Sequence, residues 1–213
     1  MQVEVLPLDE PSGRAALAQL QVTERSALGA IVRNCGGLLV DSGWARVLGG
    51  SSDAGLGIGR VNEFPTSPDP NWGPRDELII GYDVLGGVFA LSSYDAATTG
   101  RPGDPGQVGY FAPDTLEWET LEITHSQWIG WLLSGATNKF YESLRWPGWQ
   151  DESRTLTPTQ GIAVYPFLWS KEAQSNLPAT SRRRVPMSEL VGISADFAAQ
   201  AGLPSPGFLG TFT

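Results

Sequence analysis

Cysteine and histidine are nearly absent from this sequence, which has one of each among its 213 residues. With Cys35 as the single cysteine, no internal disulfide can form. Its place on the apolar face of a predicted helix favours a buried small side chain over a nucleophile. A Ser-His-Asp or Cys-His site would need His125, which lies in a predicted helix cap, where a structural role is expected. Zinc sites normally use several His or Cys ligands, and no EF-hand spacing is present, so we expect no metal and no covalent cofactor.

Long apolar runs and an excess of positive charge are also missing. No run approaches the roughly 18 residues of a membrane span, and the N-terminus has no basic-then-apolar targeting pattern. We therefore expect a cytoplasmic protein. The net charge of −9 and the pI of about 4.6 argue against nucleic acid or an anionic membrane as partner, but they permit a basic protein. The sequence leaves the oligomeric state open.

Glycine and proline, in contrast, are abundant, with 26 and 16 residues. This composition predicts many loops and short helices, within a single domain spanning residues 1–213. The stretch GGSSDAGLGIGR lacks the GxGxxG and GxxxxGK[ST] spacings of phosphate-binding loops, and no helix is expected after it because Pro65 intervenes. We predict a flexible surface loop there. The Pro/Gly-rich tail from about residue 202 is expected to be loosely held.

The stretch from Asp76 to Leu133 has the strongest local order. Four short runs with period-two alternation are joined by reversals at Gly86-Gly87, at a Gly/Pro-rich interruption and at Pro113-Asp114-Thr115, which predicts antiparallel strands. A capping-box spacing then opens a helix over Thr124–Ser134. Its apolar residues Trp128, Trp131 and Leu132 should pack on one face of the sheet. The predicted fold is α+β, with an antiparallel sheet of about five strands and short helices packed on it.

The flanking regions carry weaker predictions. Leu38 to Leu48 is typical of a hairpin, preceded by a helix that Thr23 can cap. Gly161 to Trp169 indicates a last strand, with Pro166 confining it to an edge. The segment from Pro178 to Arg184, with the only basic run, is interpreted as a polar link. Pro186 to Leu190 is predicted to start a one-turn helix.

Two sets of residues are candidates for binding. Asp114, Glu117 and Glu119 form the one acidic cluster with a defined setting, a turn followed by one strand. Paired carboxylates near tryptophan suggest glycoside hydrolysis, but Glu117 and Glu119 point outward together if Trp118 packs inward, as on a solvated strand face. Most aromatic residues fall on core faces, whereas the turn tryptophans Trp72, Trp146 and Trp149 are candidates to line a surface groove.

A set of phrases in the chain resembles a known family. These are NCGGLLVDSGWARVLG, YDVLGGVFAL, GYFAPDTLEWETLEITHSQWIGWLLSG, KFYESLRWPGW and YPFLW, and over roughly residues 25–190 they are similar to the bacterial domain-of-unknown-function 2625 family. More distantly, an NGG-like element, a hairpin and a strand-turn-strand entering an aromatic helix resemble the SUKH superfamily of cell-wall-synthesis regulators and toxin-immunity proteins. This resemblance implies an α+β domain that binds other proteins without a cofactor.

Three functions therefore stand as hypotheses. The first is a protein-interaction module, an immunity or regulatory protein that binds a basic partner such as a toxin through Asp114, Glu117 and Glu119. The second is a carbohydrate-binding or glycoside-processing protein that uses the same carboxylates with the turn tryptophans. The third is a small-ligand binding domain with an aromatic pocket. The scarcity of histidine and cysteine favours the first, because it removes most nucleophilic and metal chemistries.

Overall fold

The structure is a computed structural model that describes residues 2–51, 55, 57–92 and 101–212. Within these ranges the strands form two antiparallel sheets. The large sheet contains β1 (Val3–Leu6), β2 (Gly37–Val40), β3 (Ala45–Leu48), β4 (Leu78–Asp83), β5 (Val88–Leu91), β6 (Gln107–Ala112) and β7 (Glu117–Thr124), and the small sheet contains β8 (Gln160–Tyr165) and β9 (Ser181–Pro186). The large sheet is a meander in which each strand pairs with its neighbour in sequence. A large antiparallel sheet is thus confirmed, but the expected size of about five strands is too small, because β1 and the β2–β3 hairpin extend the central strands to seven.

The helices of the described chain are α1 (Glu10–Leu20), α2 (Ala27–Asn34), α3 (Ile58–Val61), α4 (His125–Leu133), α5 (Thr137–Phe140), α6 (Trp149–Arg154), α7 (Lys171–Ser175) and α8 (Met187–Gln200). Two 3-10 turns cover Glu142–Leu144 and Leu177–Ala179. The cap of α2 is Ser26 rather than Thr23, since the Ser26 hydroxyl accepts from Gly29 N–H at 3.0 Å. The capping box of α4 is confirmed, with Thr124 N–H donating to Gln127 Oε1 at 2.9 Å. The prediction that no helix follows the glycine-rich stretch is wrong, because the short α3 begins at Ile58. Residues 52–54 and 56 of that stretch lie outside the described residues.

The register places two rows of side chains on opposite faces of the large sheet. One row crosses it through Arg46, Tyr82, Val88, Phe111 and Trp118, and we call this side the outer face. The neighbouring row crosses it through Val47, Gly81, Phe89, Tyr110 and Glu119, and we call this side the helix face. Alternate residues of a strand project to opposite faces, so the two sides carry separate sets of contacts.

Helix α4 covers the helix face as the sequence predicts. Trp128 is fully buried, with its ring centroid 5.1 Å from that of Phe89. Gly81 leaves room for the indole, because a Cβ at that position would lie 2.9 Å from Trp128. Leu132 is also buried, but Trp131 is only half-buried and packs edge-on against Phe140. The expectation that Trp131 is buried is therefore wrong, because it lies at the rim of this layer.

The C-terminal third covers the outer face. Tyr82 Oη donates to Pro158 O at 2.6 Å, and buried Arg46 donates to the carbonyls of Pro158, at 3.0 Å, and Gln160. Ile162 N–H donates to Val84 O at 2.7 Å, which attaches β8 to the turn after β4. These bonds fix the small sheet to the large one.

Several predictions for this region are wrong. The segment Pro178–Arg184, expected to be a polar link, contains most of β9. From Ser181 onwards its residues pair with β8. Consequently the segment from Gly161 is not the last strand. The helix expected to last one turn is α8, which has 14 residues. Polar side chains on an edge strand give no apolar alternation, so β9 resembles a loop in the sequence.

The C-terminal tail, expected to be loosely held, instead makes specific contacts with the outer face. Phe208 N–H donates to Asp76 Oδ2 at 2.6 Å, and Thr211 N–H donates to Val61 O at 2.9 Å. Phe212 is buried, and its ring centroid lies 4.8 Å from that of Tyr82. Its apolar side chains supply the burial that a proline and glycine count does not reveal.

Candidate functional site

The turn between β6 and β7 presents the three carboxylates that the sequence singled out. Leu116 has a positive φ of 61°, and its N–H donates to Ala112 O at 2.9 Å, which closes the turn. Asp114 lies in the turn and is half-buried, whereas Glu117 and Glu119 are exposed at alternate positions of β7. Their outward orientation confirms the predicted solvated strand face. We call Asp114, Glu117 and Glu119 the acidic turn.

The carboxylates of the acidic turn have no cationic partner among the residues that the structure describes. In the described part of the chain none of the three forms an ion pair or a side-chain hydrogen bond with another residue. Burial raises the pKa of Asp114. Burial also raises the pKa of Glu119, and the neighbouring charges of Asp114 and Glu117 raise it further. The structure therefore brings the three together closely enough to repel one another, and a bound cation would relieve that repulsion.

Two pockets flank the acidic turn. The first, which we call the aromatic pocket, is a small cavity of about 30 Å³. It lies where Pro113 of the turn meets the small sheet and α8, and its walls include Phe167, Trp169 and Ile193. The second, which we call the proline pocket, has a cavity volume of about 250 Å³. It is lined by residues around the start of β7, of the tail and of the segment before β6, namely Leu116, Glu117, Trp118, Arg101, Pro102, Pro204, Ser205 and Pro206. The unpaired carboxylates are thus placed between two partly apolar recesses.

The aromatic pocket is bordered by four aromatic residues, of which three are half-buried and Tyr165 is exposed. Phe167 and Trp169 stack with centroids 4.7 Å apart and an interplanar angle of 9°, and Phe197 packs 4.9 Å from each ring. Tyr165 stands beside them and is 67% exposed. Aromatic groups with this exposure are typical anchors at protein interfaces.

Charged side chains lie around the proline pocket. Arg101 stacks 4.2 Å from the centre of the Trp118 ring, and its guanidinium pairs with Glu77 at 3.2 Å and Asp76 at 3.4 Å. Trp118 Nε1 donates to Pro206 O at 3.0 Å. Because the Arg101 guanidinium is shared between two carboxylates, and Glu117 has no ion-pair partner among the described residues, the charge around this pocket is net negative.

The three turn tryptophans do not form the predicted groove. Trp72 is half-buried and packs edge-on against Phe64 at 4.6 Å. Trp146 is 2% exposed, and its Nε1 donates to Glu152 Oε1 at 2.8 Å. Trp149 is buried as the first residue of α6. Trp146 and Trp149 are buried and Trp72 is half-buried, so the three indoles do not share one exposed surface.

The ring of Trp149 belongs to a cluster around Arg145. The guanidinium lies 3.8 Å from the centre of the Trp149 ring and 5.0 Å from that of Trp44. It also pairs with Asp41 Oδ2 at 2.5 Å and donates to Asn138 Oδ1 at 2.9 Å. The cationic position of this aromatic cluster is therefore filled by the chain itself, which gives it a structural role.

Asp83 is the most deeply buried carboxylate of the helix face. It accepts from Leu85 N–H at 2.8 Å, Gly87 N–H at 3.0 Å, Tyr110 Oη at 2.7 Å and Tyr141 Oη at 3.2 Å. Burial raises its pKa, and these four bonds lower it. Because every bond serves the β4–β5 turn or the aromatic layer, Asp83 acts in folding rather than in binding.

Cys35 and His125 are both buried. Cys35 Sγ donates to Ile31 O at 3.2 Å, and burial raises the pKa of its thiol. Burial lowers the pKa of His125 to about 4. A thiol whose pKa is raised is a poor nucleophile at neutral pH, and an imidazole whose pKa is this low is a weak base. Among the described residues, no group of three or more His, Cys, Asp or Glu could hold a metal ion.

Comparison with known proteins places the chain in a family. Residues 1–190 match the family described as "Protein of unknown function DUF2625". The chain belongs to the DUF2625 family. The uncharacterized protein YbfG of Escherichia coli K12 is 39% identical over 193 residues, which cover 88% of this chain and 81% of that protein. An uncharacterized Haemophilus influenzae protein is 31% identical over 166 residues, covering 78% and 70% respectively. No solved structure matches the chain significantly.

In this DUF2625 protein, sequence reasoning finds the carboxylates of the site but misses its apolar walls. Phe167 and Trp169 reach Pro113 only through the folding of the small sheet onto the large one. The sequence indicates only that Trp118 points inward. Its hydrogen bond to Pro206 O joins positions 88 residues apart. The phrase YPFLW is the signal in the sequence for these apolar walls. Its three aromatic residues stand at alternate positions from the end of a strand, and one small sheet cannot bury all of them.

Proposed function

We propose that this DUF2625 protein is a cytoplasmic protein-interaction module of SUKH-like fold, an immunity or regulatory protein whose acidic turn binds a basic protein such as a toxin. The observation that supports it best is the position of three unpaired carboxylates between two partly apolar pockets. Interfaces combine apolar anchors with charges that set orientation, and this surface offers both.

The acidic turn is also pre-organised for such a role. Asp114 is held in a closed turn, and Glu117 and Glu119 are carried by β7, which pairs with β6 along its length. Side chains on rigid backbone lose less entropy on binding than side chains on mobile loops. The net charge of −9 would attract a basic partner over a longer range and raise its association rate.

A capture experiment with a matched control tests this proposal. The wild-type protein is used as bait with the product of a neighbouring gene or with a lysate of its source, and each captured protein is then purified and its affinity measured by calorimetry. We expect a basic protein whose affinity falls at least about tenfold when Asp114→Asn, Glu117→Gln and Glu119→Gln are combined. The control combines Glu4→Gln, Glu142→Gln and Glu172→Gln, which are exposed carboxylates elsewhere with the same total change in charge.

The two triple variants separate a specific site from general attraction. If both weaken binding equally, only the net charge matters and the acidic turn is not the site. If neither weakens binding, the contact lies elsewhere on the molecule. Hydrolysis of a glycan by the wild type, lost only in the first variant, would replace this proposal with the carbohydrate hypothesis.

A further inference from the structure

Strand β9 lies at the open edge of the small sheet. On its inner side β8 hydrogen-bonds to the large sheet through Ile162 N–H and Val84 O, at 2.7 Å. On its outer side β8 pairs with β9 from Gln160↔Pro186 to Tyr165↔Ser181. No other strand of the described chain pairs with β9. One side of β9 is therefore available to a further strand.

The register shows which main-chain groups face outward. Met187 N–H donates to Thr159 O at 2.8 Å, which continues the β8–β9 register by one pair. Hydrogen-bonded pairs alternate along an antiparallel ladder, so Arg183 and Val185 face β8, and the N–H and C=O groups of Arg182 and Arg184 face away. In the described ranges these outward groups have no hydrogen-bond partner.

The side chains of this edge are basic. We call Arg182, Arg183 and Arg184 the arginine strand. Arg183 pairs with Glu189 at 3.1 Å, and Arg182 lies 4.8 Å from the centre of the Trp146 ring with its Nε 3.6 Å from Glu152. Arg184 is exposed and forms no ion pair with the described residues.

A recess accompanies the arginine strand. Arg182 and Arg184 project to the same face at a spacing of about 7 Å, the repeat of alternate residues in a strand. Between them and Glu152 lies a pocket of about 170 Å³, with Ile162 as its apolar wall. A carboxylate in this recess can meet the guanidinium of Arg184 while its methylene groups contact Ile162.

We propose that β9 binds an extended acidic peptide segment of another protein by strand addition. The outward groups of Arg182 and Arg184 supply the main-chain hydrogen bonds. The guanidinium of Arg182 is held by Glu152 and Thr180, so the guanidinium of Arg184, which has no ion-pair partner among the described residues, selects glutamate or aspartate at the position beside it. The protein as a whole carries a charge of −9 and repels acidic chains, so such binding must come from local contacts at this edge. The interaction is separate from that of the acidic turn, which lies on β7.

A designed peptide tests the side-chain part of the proposal. The probe is a fluorescently labelled Thr-Glu-Val-Glu-Val-Glu-Val-Thr peptide, titrated with the full-length protein and followed by anisotropy. We expect saturable binding that weakens about tenfold in Arg184→Gln, as for the loss of one charge-assisted hydrogen bond. Arg25→Gln removes an exposed arginine elsewhere and should leave the affinity unchanged. The same peptide with Lys in place of Glu should not bind.

Backbone methylation tests the strand addition itself. Peptides methylated at alternate amide nitrogens come in two sets, one with the methyl groups on the edge that faces β9 and one with them on the opposite edge. We expect the first set to lose binding and the second to keep it, because only the first blocks the main-chain hydrogen bonds. Equal binding of both sets, or equal affinity of wild type and Arg184→Gln, would overturn the proposal. A protein dimer in sedimentation that Arg184→Gln abolishes would also overturn it, since the edge would then belong to a second copy.

Discussion

The buried His125 should make the stability of the protein depend on pH in a measurable way. Its side chain is at the first position of α4, 8% exposed and 5.7 Å from the Trp128 ring. Burial lowers its pKa from the ordinary value of 6.5 to about 4. The positive end of the helix dipole disfavours an imidazolium there as well.

The sign of the effect follows from proton uptake. Between pH 6.5 and 4 the unfolded chain binds a proton at His125 and the folded chain does not, so acid favours unfolding. The contribution of the neutral His125 side chain to the unfolding free energy is complete above pH 6.5 and is lost as the pH falls towards 4. A pKa difference of about 2.5 between the two states corresponds to roughly 2–3 kcal/mol between pH 7.5 and pH 4.5.

A variant isolates this effect from the carboxyl groups. Burial raises the pKa values of Asp114 and Glu119, and these groups add stability as the pH falls, in the direction opposite to that of His125. They are present in both proteins, so the difference in unfolding free energy between wild type and His125→Gln reports the histidine alone. Urea unfolding from pH 7.5 to 4.5 should show that difference change by roughly 2–3 kcal/mol in favour of the variant.

A direct titration provides the control. The protein has one histidine, so a single imidazole resonance should titrate near pH 4 in NMR spectra. If that resonance titrates near 6.5, or if the stabilities of the two proteins stay parallel within about 0.5 kcal/mol over the pH range, the argument from burial is refuted.

Two further substitutions test the packing of the large sheet. Trp128→Ala should reduce the unfolding free energy by about 3–5 kcal/mol, the usual cost of deleting a buried aromatic side chain, and Trp131→Ala by clearly less because that ring is half-buried. Denaturant midpoints decide, and equal losses would mean that α4 is turned differently on the sheet. Phe212→Ala should cost about 2–4 kcal/mol through the loss of its buried contact with Tyr82. A change below about 0.5 kcal/mol would show instead that the tail is loosely held.

Local patterns in the sequence account for the centre of the fold. β4 to β7 have period-two alternation and clear turn residues, and α4 opens with a capping box, so each is specified by its own segment. β9 has no such pattern. Its three arginines are consecutive and so point to both faces of the strand, and Val185 is the one buried residue of β9. The full length of α8 and the anchoring of the tail depend on contacts with distant segments, and local patterns do not contain them.

The local sequence likewise specifies one part of the candidate site and not the other. The acidic turn lies within six consecutive residues and is visible in the sequence as a turn followed by alternating glutamates. Its apolar walls come from residues about 50 to 90 positions further along the chain, such as Phe167, Trp169 and Pro206. Trp146 and Trp149 show that turn residues in the sequence can also mislead. Proline and glycine nearby suggest that these rings are exposed, but Arg145 lies over the Trp149 ring and Glu152 accepts a hydrogen bond from the Trp146 indole.

The strand order of the large sheet has a consequence for synthesis on the ribosome. Each strand pairs with the one just made, so the sheet can grow from the N-terminus without waiting for distant partners. Its outer face stays uncovered longer, since Tyr82 and Arg46 gain contacts there from Pro158, Gln160 and Phe212, which are synthesised later. A nascent chain that stalls before about residue 158 would therefore display a finished sheet with a bare aromatic surface, the state in which chaperones and proteases would meet it.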